Sequence, residues 1–263
     1  MRATVFLGGG RITSALVAGL RLTGYDRPIV VYDRHRRKLQ QLERQYRVSA
    51  EPDLQHAVAQ ASLLVIAVRP ESVRELLKQI GELRRSLPAV SLAAGVPLAK
   101  LRAQLGPPVH WARAMPSPVC RTARGLTAMT FDRGFPSVAK QVVRRLFARV
   151  GQVIEIPESK FDAFTVTYSS SHGYHALAAL AAAAQKLGLD RRSALTAAAH
   201  ALGDGVLAWR NGKIPLHRLL REAATPGGVA AAVMSAMDTA GYGRIVEHAL
   251  RRGMARAKKN AMG

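Results

Sequence analysis

Three consecutive glycines, Gly8, Gly9 and Gly10, followed by Arg11, Ile12 and Thr13, stand directly after an apolar run at residues 3–8. That order suits an anion. Gly8 allows a tight turn out of a strand, and Gly10 lets a backbone approach a pyrophosphate. The N-terminus of the helix that follows offers N–H groups and a partial positive charge. A glycine fingerprint alone says little, but between a strand and a helix it reads as a dinucleotide site. The third position of the fingerprint is Thr13, where Gly or Ala is usual, so looser helix–strand packing is expected there. Some twenty residues further on stand Asp33 and Arg34, then His35, Arg36 and Arg37. A carboxylate at that place binds a ribose 2′-hydroxyl, whereas arginines just after it pair with a 2′-phosphate. The two point to NAD and NADP respectively. The cluster of arginines favours NADP, used as NADPH, with NAD as the alternative. Arg36, Arg37 and Lys38 equally suit a plain solvated helix face.

A second anion site is written at Pro226-Gly227-Gly228, a turn ahead of a helical run from Val229 to about Ala240, where backbone N–H groups can form a nest. An ordinary helix entry has the same composition. The single cysteine, Cys120, excludes an intrachain disulfide and a multi-cysteine zinc site. It reads first as a small buried side chain, and no motif ties a histidine to it. No metal is expected.

The elements that must position these residues follow a βα alternation. Apolar runs predict strands at residues 3–8, Pro28–Tyr32, Leu63–Val68, Ala89–Ala93, Val109–Ala112, Thr127–Phe131 and Val153–Ile156. Ile12, Leu16, Val17 and Leu20 recur at helical spacing up to Gly24. Further helices are expected at Arg36–Tyr46, around Leu54–Ala61 and from Ser72 to about Arg85. This is the pattern of an α/β fold with a Rossmann-type, doubly wound parallel sheet. After Pro157 the texture turns alanine-rich and helix-periodic. His175–Ala184 is apolar all round, so such a helix must be buried in a core or against a partner chain. The expected organisation is a dinucleotide-binding domain over residues 1–157 and an all-α substrate-binding and dimerisation domain over residues 158–263, giving a homodimer or a higher homo-oligomer.

A net charge of +22 invites a nucleic-acid reading. The excess is spread along the chain, +14 over residues 1–158 and +8 over the rest, and is not gathered in an arm. Aromatics make up 5% and leave few platforms for stacking bases. Attraction to phosphates and carboxylates accounts for the charge more simply, and no specific nucleic-acid partner is expected. No apolar run reaches the roughly 20 residues a membrane span needs, and the N-terminal apolar stretch is too short for a secretion signal. A cytoplasmic protein with no membrane partner is expected.

Four segments carry a resemblance to a known family. Ala67-Val68-Arg69-Pro70, Ser91-Leu92-Ala93-Ala94-Gly95-Val96, Arg113-Ala114-Met115-Pro116 and Thr225-Pro226-Gly227-Gly228 resemble the AVKP, SIAAGV, RAMPNTP and SPGGTT segments of Δ1-pyrroline-5-carboxylate reductases, in order and at matching spacing. The resemblance implies NAD(P)H-dependent reduction of the C=N bond of pyrroline-5-carboxylate, a small cyclic imino acid, to proline, a step of proline biosynthesis. It implies that Ala67, Val68, Arg69, Pro70, Ala93, Ala94 and Gly95 line the cofactor with Gly8 to Ile12, Asp33 and Arg34. It further implies that the turn at Gly227 and Gly228, with Val229 and Ala230 after it, holds the substrate carboxylate.

Departures from the family pattern gather at the substrate. Val229 and Ala230 stand where the family has two threonines, the second of which is implicated in substrate contact. SGSGPAY becomes Tyr168-Ser169-Ser170-Ser171-His172-Gly173-Tyr174, and MPNTP becomes Met115-Pro116-Ser117-Pro118-Val119. Ser170 and His172 are the candidate catalytic residues, and Ser170 and Ser171 candidate substrate contacts, with Tyr174 and His175 as further donors. Two other readings stay open: a reductase of another cyclic imine, and a cofactor-binding paralogue impaired in catalysis. A β-hydroxyacid dehydrogenase would need a lysine a few residues after Gly173, and the next lysine is Lys186.

Overall fold

The computed structural model describes residues 2–262. Its strands are β1 (Ala3–Leu7), β2 (Ile29–Tyr32), β3 (Ser49–Glu51), β4 (Ala61–Ile66), β5 (Leu87–Ser91), β6 (Val109–Met115), β7 (Gly125–Phe131) and β8 (Gly151–Glu155). They form one sheet in the order β3-β2-β1-β4-β5-β6-β7-β8. The helices between them are α1 (Arg11–Leu22), α2 (Arg36–Tyr46), α3 (Leu54–Gln60), α4 (Pro70–Ile80), α5 (Leu98–Gln104) and α6 (Ser137–Ala148). This is the expected Rossmann-type doubly wound α/β fold.

The central strands are buried on both faces, which is why they read as unbroken apolar runs. In β4, Leu64 and Ile66 join a core with Val5, Leu7, Val73 and Leu77. Leu63 and Val65 point the other way, into a core with Phe6, Leu16, Leu20 and Phe147. Alternate residues of one strand thus feed two cores. Each such side chain contributes about 1.5–3 kcal/mol on burial.

Four details differ from the sequence expectation. The sheet is not wholly parallel: β7 runs antiparallel to β6. The link between them is a short 3-10 turn, Pro118–Thr122, and a parallel return needs a longer crossover. Helix α4 ends at Ile80, short of Arg85, because Gly81 adopts φ +68°. Strand β4 starts at Ala61 and β5 at Leu87, each two residues ahead of its apolar run, and each stops two residues early. Strand β3 has no apolar signature and exists by pairing with β2, Val30 opposite Ser49.

The chain forms two compact units. The first runs through α7 (Glu158–Thr167) to Tyr168 and also takes in the chain from Gly253 onward. The second runs from Ser169 to Arg252 and holds α8 (Ser170–Lys186), α9 (Arg191–Asn211), α10 (Leu216–Ala223), α11 (Val229–Thr239) and the first half of α12 (Tyr242–Met262). Strand signals stop at residue 157, yet the first unit keeps one helix more and receives the last turns of α12. Helices α8 and α9 pack on each other, and Ala181 of α8 and Ala194 and Ala198 of α9 are their buried residues. The rest of the helix expected to be buried, His175–Ala184, lies open or half-open, with Leu180 exposed, and so do Leu195, Val206, Leu207 and Trp209 of α9 and Val233 of α11. Apolar surface of that extent marks an interaction face.

Candidate functional site

Parallel pairing sets the carboxyl ends of four strands level. Leu7 pairs with Tyr32 on one side and with Ile66 on the other, and Ile66 pairs with Ser91. The segments after these residues, Gly8–Gly10, Asp33–Arg34, Ala67–Pro70 and Leu92–Gly95, therefore share one edge of the sheet. It is the edge where open α/β sheets bind ligands.

At its centre the glycine loop is built to leave space. Gly8 has φ +115°, and a Cβ there would sit 2.7 Å from the Ala67 carbonyl oxygen, so no other residue fits. Its N–H donates to Tyr32 O at 2.8 Å. Gly10 caps α1 without a side-chain bond, and a Cβ on it would meet nothing within 4 Å. The first-turn N–H groups of α1, from Arg11 and Ile12, have no intrahelical acceptors and face a cleared approach. This cradle fits the pyrophosphate of a dinucleotide. Thr13 does not loosen the packing as expected. It is wholly buried, and its hydroxyl donates to Gly8 O at 2.5 Å, so the side chain ties the helix back to the turn.

Asp33 is 8% exposed and already engaged. Oδ2 accepts the Gly9 N–H at 2.8 Å and Oδ1 accepts the His35 N–H at 2.8 Å, with Lys38 Nζ 3.6 Å from Oδ2. A carboxylate has about four lone-pair sites, so these bonds leave capacity for a ribose hydroxyl. Arg34 is exposed, as are Arg36 and Arg37 in the first turn of α2. On the other side of β1, Ala67 and Val68 are half-buried, Arg69 is the exposed N-cap of α4 and Pro70 is its first residue. Ala93 is buried, and its N–H donates to Ser91 Oγ at 3.3 Å.

Several side chains named in the sequence make contacts here that no local pattern announced. Arg113 is 2% exposed, although it carries a full charge. Its guanidinium meets Glu158 at 3.2 Å and Asp162 at 3.0 Å and stacks 4.4 Å over the Phe161 ring. The same Glu158 oxygen accepts the Leu98 N–H at 2.7 Å, at the start of α5. Tyr168 Oη lies 3.0 Å from Ser117 Oγ and accepts the Leu126 N–H at 2.7 Å. Cys120 is buried under α1, and burial pushes its thiol up to about 12, which makes it a poor nucleophile.

The candidate substrate residues belong to the second unit. Ser169 caps α8, its hydroxyl accepting the Ser171 N–H at 3.4 Å and lying 2.6 Å from Ser171 Oγ. Ser170 is half-buried, whereas Ser171, His172, Tyr174 and His175 are exposed. In the turn, Gly227 takes φ +76°. Gly228 corrects the expectation: its N–H donates to Thr225 O at 2.9 Å and closes the turn. The donors left for an anion are Gly227 and the first residues of α11, Val229 and Ala230, whose side chains are exposed and carry no hydroxyl. Among the described residues there is no His, Cys, Asp or Glu cluster suited to a metal, and no helix is long and apolar enough to cross a membrane.

Two family models match: "NADP oxidoreductase coenzyme F420-dependent" over residues 4–95, and "Pyrroline-5-carboxylate reductase dimerisation" over residues 158–260. The pyrroline-5-carboxylate reductase of Corynebacterium melassecola is 30% identical over 249 residues, 92% of each chain. That of Synechocystis sp. is 29% identical over 260 residues, 96% of each. The crystal structure of Plasmodium falciparum pyrroline carboxylate reductase with NADP bound has the same fold, with a TM-score of 0.90 at 19% identity over 99% of this chain and 98% of that one.

Proposed function

The chain belongs to the pyrroline-5-carboxylate reductase family, and on that premise we propose that it reduces the C=N bond of pyrroline-5-carboxylate to give proline, with NADPH as the preferred coenzyme. The observation that carries the reading is the cradle at Gly8–Gly10, where a close turn and an open helix N-terminus meet beside Asp33. NADPH, when bound, supplies the hydride that the imine carbon accepts, and the ring nitrogen keeps the proton that makes the imine electrophilic. The chain's own work is binding and orientation. Arg11 and Ile12 N–H groups hold the pyrophosphate, and Arg34 takes the 2′-phosphate. Ala67–Pro70 and Ala93–Gly95 form the floor under the reacting half of the coenzyme. Gly227, Val229 and Ala230 hold the substrate carboxylate through the backbone, with Ser170 and His172 as the side chains near the ring.

The dimerisation match over residues 158–260 and the exposed apolar side chains of α9 and α11 support a homodimer, formed through the helical domain. The test of the reaction is direct. Purified protein mixed with NADPH and pyrroline-5-carboxylate should bleach the nicotinamide absorbance band and release proline. Detectable NADPH binding with no turnover at saturating imine would sink the substrate assignment.

A further inference from the structure

We infer that the last turns of α12 set the position of the loop after β5, and that Asn260 is the positioning residue through which they do so. This rests on the dinucleotide reading above and deepens it. A dinucleotide with its pyrophosphate over Gly8–Gly10 and its adenosine ribose at Asp33 runs from β2 across β1. Its other half must lie over the ends of β4 and β5, where the loop at Leu92–Val96 stands. This loop has little regular structure of its own to fix its shape.

What fixes it comes from far along the chain. The Asn260 side-chain amide donates to Ala94 O at 3.2 Å, across 166 residues of sequence. Next to it Gly95 adopts φ +78°, and a Cβ there would fall 3.0 Å from both the Ala257 carbonyl carbon and Asn260 Cβ. Ala257 is buried, its small side chain letting the helix seat against the glycine. The hydrogen bond has a directional effect. In a planar trans peptide, C=O and N–H point opposite ways. Holding the Ala94 carbonyl towards α12 therefore turns the Gly95 N–H away from α12. That N–H makes no hydrogen bond among the described residues. Asn260 thus aims a backbone donor, and the donor serves the reacting half of the coenzyme.

Two variants separate aiming from packing. Asn260→Asp keeps the shape and loses the donor, while Asn260→Ala loses both. Each is titrated with NADPH and with adenosine 2′,5′-bisphosphate, a fragment that reaches only the adenosine half, and thermal unfolding is recorded alongside. The loss of one hydrogen bond predicts NADPH binding weakened about 3- to 10-fold in both variants, with fragment binding unchanged. NADPH affinity retained by Asn260→Asp overturns the proposal, as does equal weakening of NADPH and fragment, the mark of a general loosening. Absence of NADPH binding by the unmodified protein overturns both this inference and the dinucleotide reading. Because the readout is binding, a protein that binds NADPH but leaves pyrroline-5-carboxylate untouched fails only the substrate assignment.

Discussion

Asp33 holds Gly9: its carboxylate accepts the glycine N–H at 2.8 Å, and the second oxygen accepts the His35 N–H at 2.8 Å. The residue expected to read the ribose is thus also the strut of the glycine loop. Asp33→Ala leaves two N–H groups without their acceptor, at about 1–3 kcal/mol of stability. Urea unfolding should show that loss, and coenzyme titration a loop that binds either nucleotide poorly. Asp33→Asn keeps an acceptor and removes the charge, so it should shift preference further towards NADPH.

Arg34 is the separate test of coenzyme choice. It is exposed, and its side chain makes no hydrogen bond or ion pair among the described residues, so Arg34→Ala should unfold like the unmodified protein. Paired affinities for NADPH and NADH should show only the first falling, by about tenfold for one lost charge-assisted bond to phosphate. An equal fall for both would remove Arg34 from the 2′-phosphate.

Arg113 is buried against two carboxylates that are about a third exposed. Removing it in Arg113→Met leaves like charges facing each other across an apolar gap, at about 3 kcal/mol. Adding Glu158→Gln and Asp162→Asn should recover most of that loss, because the cost lies in the abandoned charges. Denaturant midpoints of the single and triple variants decide it.

Cys120 gives a pH signature. Burial raises its thiol from 9.0 to about 12. For a raised acid the sign is fixed: the contribution is full below pH 9, where both states are protonated. It then falls as pH climbs towards 12, because the unfolded thiol ionises first. The slope approaches about 1.4 kcal/mol per pH unit. Comparing the unmodified protein with Cys120→Ala from pH 8 to 10.5 isolates this from other groups, since only the former should carry the extra slope.

Ala230 stands where the family places a threonine. Ala230→Thr adds a hydroxyl to an exposed first-turn position of α11, at a helix-propensity cost of about 0.5 kcal/mol. If the carboxylate sits at this turn, kcat/KM for pyrroline-5-carboxylate should rise about tenfold, with NADPH affinity unchanged. An unchanged value places the carboxylate elsewhere.

How far the sequence reaches depends on distance along the chain. Gly8, Gly10 and Asp33 were readable because one βαβ unit contains them all and glycine spacing reports backbone shape. Thr13 was readable as a position but not as a role, since its bond to Gly8 O depends on how the helix turns back. The partners of Arg113 lie 45 and 49 residues away, and no local pattern joins a strand arginine to helix carboxylates. The Asn260 contact was further still from legible. An asparagine in a basic helical tail resembles any solvated residue until the tertiary fold brings Ala94 to it.

The return of α12 to the first unit bears on how the protein is made. Strands β1 to β8 leave the ribosome before the second unit, and residues 257–260 follow only after all of it. Domains generally fold as they emerge, but here the seat for Gly95 is absent from the nascent sheet. The nucleotide-binding half is therefore the first to be started and the last to be finished. A chain broken off anywhere in residues 169–252 would carry every motif of the glycine edge and still lack the piece that completes it.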